Sequence, residues 1–115
     1  MNIITNNEAE ASVAVRLLRA IRDPEIGLNI IDLGLLYQLD FDDSNKVIYI
    51  SMTLTTRFCP MSSIITESVK DVLQRAYAGF RIDLDIVFEP PWDETRISKD
   101  GKLYLNTGVE KTRKR

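Results

Sequence analysis

The stretch FRIDLDIVFE, residues 80–89, alternates strictly between two kinds of side chain. Phe80, Ile82, Leu84, Ile86 and Phe88 fall on one face, and Arg81, Asp83, Asp85, Val87 and Glu89 on the other. A period of two over ten residues is the signature of a half-buried strand. Pro90 and Pro91 end it, because proline cannot donate to a ladder. Gly79, just before it, suits the left-handed cap of a helix. That helix is predicted from about Pro60 to Ala78, with Met61, Ile64, Ile65, Val69, Val72, Leu73 and Ala76 as its apolar stripe. It follows a second strand, Lys46 to Thr55, rich in β-branched and aromatic residues. Strand, helix, strand in that order predicts a parallel pair with a right-handed crossover.

Upstream, Leu33, Leu35, Tyr37, Leu39 and Phe41 share one face of a further strand, with Gln38 and Asp40 on the other. Asp42, Asp43, Ser44 and Asn45 form a polar turn, so this strand and the next pair as an antiparallel hairpin. A first helix is predicted from Glu8 to Arg22, with Val13, Leu17, Leu18, Ala20 and Ile21 as its buried stripe and Pro24 as its stop. Residues 1–6 and 107–115 are expected to be flexible. The fold class is therefore α/β (α+β): a two-layer sandwich of one domain, residues 1–115. A small mixed three-stranded sheet is covered by two helices in the order α-β-β-α-β, with an irregular C-terminal segment.

At 115 residues, one hydrophobic core forms without disulfides. A net charge of −2 argues against a nucleic-acid footprint. No apolar run approaches the roughly 20 residues that span a bilayer, and MNIITNNEAE has no signal-peptide pattern. One cysteine, which has no internal partner, suits a reducing cytoplasm. The chain has no histidine, which excludes a Ser-His-Asp triad, a Cys-His pair and an imidazole metal ligand.

Chemistry concentrates in TLTTRFCPM, Thr53 to Met61. Pro60 suits the first position of a helix, which makes Cys59 its N-cap. Free backbone N–H groups, the positive end of the helix dipole and nearby Arg57 all favour thiolate over thiol, lowering the thiol pKa below the free value of ~8.5. The thiolate is the form that binds metals and attacks electrophiles. Each residue here also has a plain structural reading. A lone cysteine is often a small buried hydrophobe. Asp23 and Glu25 flank Pro24 in a turn, and Thr55 and Thr56 end a strand. Asn29 and Asp32 satisfy loop backbone groups. Trp92 either locks the C-terminal segment down or offers a partner surface.

Three motifs then stand together: DPEIGLNIIDLGLLY at Asp23 to Tyr37, LTTRFCPM at Leu54 to Met61, and EPPW at Glu89 to Trp92. In order and spacing they resemble the SufT/PaaD-like domain family of iron–sulfur cluster assembly proteins, from about Val13 to Ser98. The resemblance implies the same architecture and a cytoplasmic accessory factor for cluster assembly or transfer, not an enzyme. Its partners would be iron–sulfur assembly proteins and client apoproteins, with no nucleic acid and no membrane. By position it implies a polar site of Asp23, Glu25, Thr55, Thr56 and Cys59, with Cys59 as the contact ligand. Arg57 stands where the family usually has proline. The cysteine-rich extension common in the phenylacetate-degradation branch does not follow, and the basic KTRKR ending has no counterpart.

A conventional [2Fe–2S] or [4Fe–4S] cluster takes four thiolates, and one chain supplies one. Such a chain could hold a transient cluster between the two subunits of a homodimer with outside ligands, hand iron or cluster to a partner through Cys59, or dock the assembly machinery and bind no metal. An alternative role is that of a non-catalytic assembly subunit of a multicomponent aromatic-ring hydroxylase, with Cys59 dispensable. A thiol hydrolase would need Asp23 or Glu25 as its base, an uncommon pairing.

Overall fold

Two β-α-β units placed back to back make the whole sheet. The computed structural model describes residues 3–24, 26–55 and 62–105, apart from the side chain of residue 62. In the first unit β1 (Ile4–Thr5) runs through α1 (Glu8–Leu18) to β2 (Leu36–Asp42), and β1 pairs parallel with β2. In the second, β3 (Val47–Met52) runs through α2 (Ser62–Ala76) to β4 (Arg81–Ile86), again parallel. The antiparallel β2–β3 hairpin joins them, giving the order β1-β2-β3-β4. The two-layer mixed α/β class holds, with four strands where the sequence predicts three.

The fourth strand is β1. Its two residues carry no periodic signal, and their place is fixed by the next side chain. Asn6 Nδ2 donates to the Phe41 carbonyl at 2.9 Å, and Asn6 Oδ1 accepts from the Phe41 N–H at 2.9 Å. One amide thereby continues the ladder past the end of β1. Asn7 caps α1 by accepting from the Glu10 N–H at 3.1 Å.

The buried face of α1 is Ala11, Ala14, Val15 and Leu18; of the expected stripe Leu18 is buried here and Ile21 just beyond the helix, while Val13 and Leu17 are not. Val13 is 46% exposed and Leu17 37%. Spacings of three and four fit both sets of residues. Tertiary packing decides between them: Ala11 and Ala14 lie in the core cluster with Val15 and Leu18, and Val13 and Leu17 lie outside it. The helix also ends at Leu18, well before Pro24. Across the helix pair, Tyr77 Oη donates to Glu10 Oε2 at 3.2 Å. Burial, together with the Glu10 charge and that bond, pushes the Tyr77 pKa up to about 12.

The core gathers these α1 residues with Ile65, Val69 and Leu73 of α2 and with Leu39, Phe41, Ile48, Ile50 and Met52 of the sheet. Each such large side chain contributes about 1.5–3 kcal/mol on leaving water. The register of β2 shifts between Leu36 and Gln38, which pair with Met52 and Ser51. Tyr37 is the extra residue of this bulge. It resets the alternation, so Leu36 is buried while Tyr37 is half-buried. The hairpin turn closes as expected: Asp42 accepts from both the backbone and the side-chain nitrogen of Asn45, and Lys46 takes the left-handed conformation at φ 57.

Beyond β4 the chain is more regular than the sequence suggests. A short 3₁₀ helix at Glu94–Arg96 is followed by a helix at 99–105, α3. Ser98 caps α3, its Oγ accepting from the Gly101 N–H at 3.0 Å. Gly101 lies against Ile97, Leu28 and Asp32, where an added Cβ would come within 2.9–3.2 Å of their side chains. Trp92 settles its two readings in favour of the lock: it is half-buried, and its Nε1 donates to the Leu33 carbonyl at 2.7 Å.

Candidate functional site

The loop between α1 and β2 and the C-terminal end of β3 are tied by backbone hydrogen bonds. The Thr53 N–H donates to Leu35 at 2.8 Å, Leu35 to Ile30 at 3.1 Å, and Ile30 to Ile21 at 3.0 Å. Arg22 and Asn29 form an isolated antiparallel bridge beside the last of these. A turn at Asp23 closes the loop. Its carbonyl accepts from the Gly27 N–H at 2.7 Å, its N–H donates to Leu28 at 3.0 Å, and its carboxylate accepts from the Ile26 N–H at 3.1 Å. Gly27 completes this turn at φ 85, a conformation that suits a residue without Cβ. Asp23 is buried, at 1% exposure. The turn reading of this residue is therefore correct, but its carboxylate is not solvated.

Of the site residues read from the sequence, Asp23 and Thr55 are described, and Thr55 is half-buried three positions past the end of β3. Glu25, Thr56, Arg57 and Cys59 lie outside the described residues, as does the N-cap assigned to Cys59. Thr53, which strand alternation sets on the less apolar face with Tyr49 and Ser51, is fully buried. Its Oγ1 finds no hydrogen-bond partner among the described residues. Most buried hydroxyls have one. Period-two reasoning misses it because β3 has ended at Met52, and the alternation ends with it.

The other residue whose role the sequence underrates is Asp32. Asn29 Oδ1 accepts from its backbone N–H at 2.9 Å, which is the loop bond expected of the pair. Its carboxylate also accepts from Asn29 Nδ2 at 2.7 Å, Ser98 Oγ at 2.8 Å and the Arg19 guanidinium at 3.0 Å. Burial opposes its ionisation, but the bonds from Asn29, Ser98 and Arg19 outweigh burial and hold its pKa below the ordinary value. The Asn-x-x-Asp spacing and the Ser98–Gly101 cap are the sequence signals of this junction. Between its two sides lies a cleft of about 580 Å³, bordered by Arg19, Asp32, Arg96 and Lys99.

Among the described residues, no three His, Cys, Asp or Glu side chains gather to hold a metal ion, and no helix is long and apolar enough to cross a membrane.

Residues 12–83, from within α1 to within β4 and including the Asp23 turn and the strand end that leads into the Cys-Pro segment, match the model of one protein family, described as iron–sulfur cluster assembly protein. The chain belongs to this family, in its SufT-like branch. It is 39% identical over 83 residues to the Fe-S protein maturation auxiliary factor SufT of Staphylococcus aureus, covering 72% of this chain and 93% of that one. It is 36% identical over 88 residues to the Fe-S protein maturation auxiliary factor YitW of Bacillus subtilis, covering 76% and 85%. A crystal structure of a domain of unknown function, DUF59, from Bacillus anthracis superposes with a TM-score of 0.79 at 36% identity, covering 86% of this chain and 93% of that one.

Proposed function

We propose that this protein is an accessory factor in the maturation of iron–sulfur proteins, working in the cytoplasm with cluster-assembly proteins and client apoproteins. Iron or cluster is its cargo, and Cys59 is the contact ligand. As a thiolate, Cys59 supplies one bond to iron, and that bond is released when the thiolates of a client replace it. One sulfur is too few to hold a cluster alone, so the cargo is shared with the donor or acceptor at every stage. Asp23 and Glu25 set the charge around the site, Thr55 and Thr56 orient the bound group, and Arg57 favours the thiolate.

One structural observation carries this reading. The Asp23 turn is linked through Ile21, Ile30 and Leu35 to Thr53, so the early loop and the strand end leading into Cys59 are held by one set of hydrogen bonds. The family match, residues 12–83, spans both segments. The test is a Cys59→Ser variant in a strain lacking the chromosomal copy. Activity of cluster-dependent enzymes is expected to stay at the level of the deletion. Full restoration by the serine variant removes Cys59 from the mechanism. Anaerobic iron loading, followed by absorption in the visible range, is expected to give cysteine-dependent signal only in wild type.

A further inference from the structure

The sheet has a second face, opposite the helices. Asp40, Tyr49 and Asp83 are paired in one row, and Gln38, Ser51 and Asp85 in the next. Directly paired residues share a face. Ile48 and Ile50, which alternate with them, lie in the core with α1 and α2. Tyr49 at the centre of the outer face is 42% exposed. Asp40, Asp42, Asp43 and Tyr49 line a concavity of about 560 Å³ toward the hairpin turn. Arg81 is the basic residue of this face, and it reaches Asp83 only at 3.9 Å. Asp85 is exposed, and its carboxylate makes no ion pair with the other described residues.

The same chain ends on Lys111, Thr112, Arg113, Lys114 and Arg115, four cations in five residues of a protein whose net charge is −2. We propose that this basic ending of the chain docks on the outer sheet face, its cations between the carboxylates of Asp40, Asp83 and Asp85 and over the ring of Tyr49. Aspartates flanking an exposed aromatic ring offer both ion pairing and cation–π attraction to lysine and arginine. Leu105 lines a pocket with Leu33, just before β2 starts, and the ten residues that follow it extend to about 33 Å, against about 13 Å from Leu36 to Asp40 along the strand. Tethering raises the local concentration of the segment to the order of millimolar, so weak surface ion pairs suffice.

The test compares backbone amide NMR spectra of the full-length wild type with a full-length variant carrying Lys111→Glu, Arg113→Glu, Lys114→Glu and Arg115→Glu. At low salt, differences are expected at Tyr49, Ser51, Asp83 and Asp85, and they are expected to vanish at about 0.5 M salt, where surface charges are screened. A Tyr49→Ala, Asp85→Asn variant, altered only at exposed positions, is expected to shift the tail amides toward those of the reversed tail. Differences confined to residues 106–115, or mapping to α1 or α2, overturn the proposal. Shifts that grow with protein concentration assign the tail to a second copy and overturn the intramolecular docking.

Discussion

Ser98 Oγ donates to Asp32 Oδ1 at 2.8 Å across 66 positions of sequence, and the Ser98 backbone N–H donates to the Asp32 carbonyl at 2.7 Å. A single aspartate thus anchors the start of the last helix to the loop that precedes β2. Replacing it with asparagine leaves the shape but removes the charged acceptor shared by Arg19, Asn29 and Ser98. Asp32→Asn is expected to lower stability by about 2 kcal/mol, the scale of bonds to a charged group, read as a shift of the denaturation midpoint. The Asp32 pKa is lowered in the folded chain, so its contribution is present above 3.8 and is lost as the pH falls through the lower folded value. The stability gap between wild type and variant should therefore narrow below pH ~4. A gap that widens there would contradict this account.

Gly34 holds φ 77, and an added Cβ would collide with the Arg96 carbonyl and lie 2.8 Å from its Cβ. The Arg96 guanidinium sits 4.4 Å above the Tyr37 ring. Gly34→Ala is expected to cost about 1–3 kcal/mol through left-handed strain and the clash. Lifting this segment also wets Trp92, so its fluorescence should move to longer wavelength. An unchanged spectrum at an unchanged midpoint would mean that the segment does not rest on Gly34.

Thr53 keeps a hydroxyl in a dry position. Thr53→Val preserves the branched shape and removes the polar atom, and it should raise stability by about 1 kcal/mol. Thermal unfolding measures this directly. A loss of similar size would reveal a partner for the hydroxyl outside the described residues.

Ala14 and Val13 are adjacent in α1 and opposite in consequence. Ala14 is fully buried, so Ala14→Leu should destabilise by about 1–3 kcal/mol through overpacking. Val13→Gln, at a position 46% exposed, should stay within about 0.5 kcal/mol of wild type. Comparable losses from both would place the helix face elsewhere.

The elements that announced themselves in the sequence are those whose own side chains pay little attention to neighbours. The hairpin turn carries Asp42 and Asn45, which bond each other; β4 alternates without a break; α2 buries Ile65, Val69 and Leu73 of its expected stripe, although Ile64 and Ala76 of that stripe are exposed. The α1 face was harder to read because hydrophobicity ranks Val13 and Leu17 above Ala11 and Ala14, whereas close packing ranks them the other way. At Tyr37 a bulge shifts the period, which only the partner strand decides. β1 depends on Asn6 reaching Phe41, a contact 35 positions away. Of the candidate site, the Asp23 turn was legible from its Pro and Gly neighbours. The burial of Thr53 was not, because it depends on where β3 stops. The tie between Asp32 and Ser98 needs the whole fold before it exists.

The family match stops at residue 83, yet Trp92 and Ser98 hold the loop containing Leu33 and Asp32. A chain trimmed at that boundary would keep most of its sheet while cutting the strap across the Asp23 side of the molecule. Domain limits drawn from shared sequence alone would here discard a supporting wall of the site they were meant to isolate.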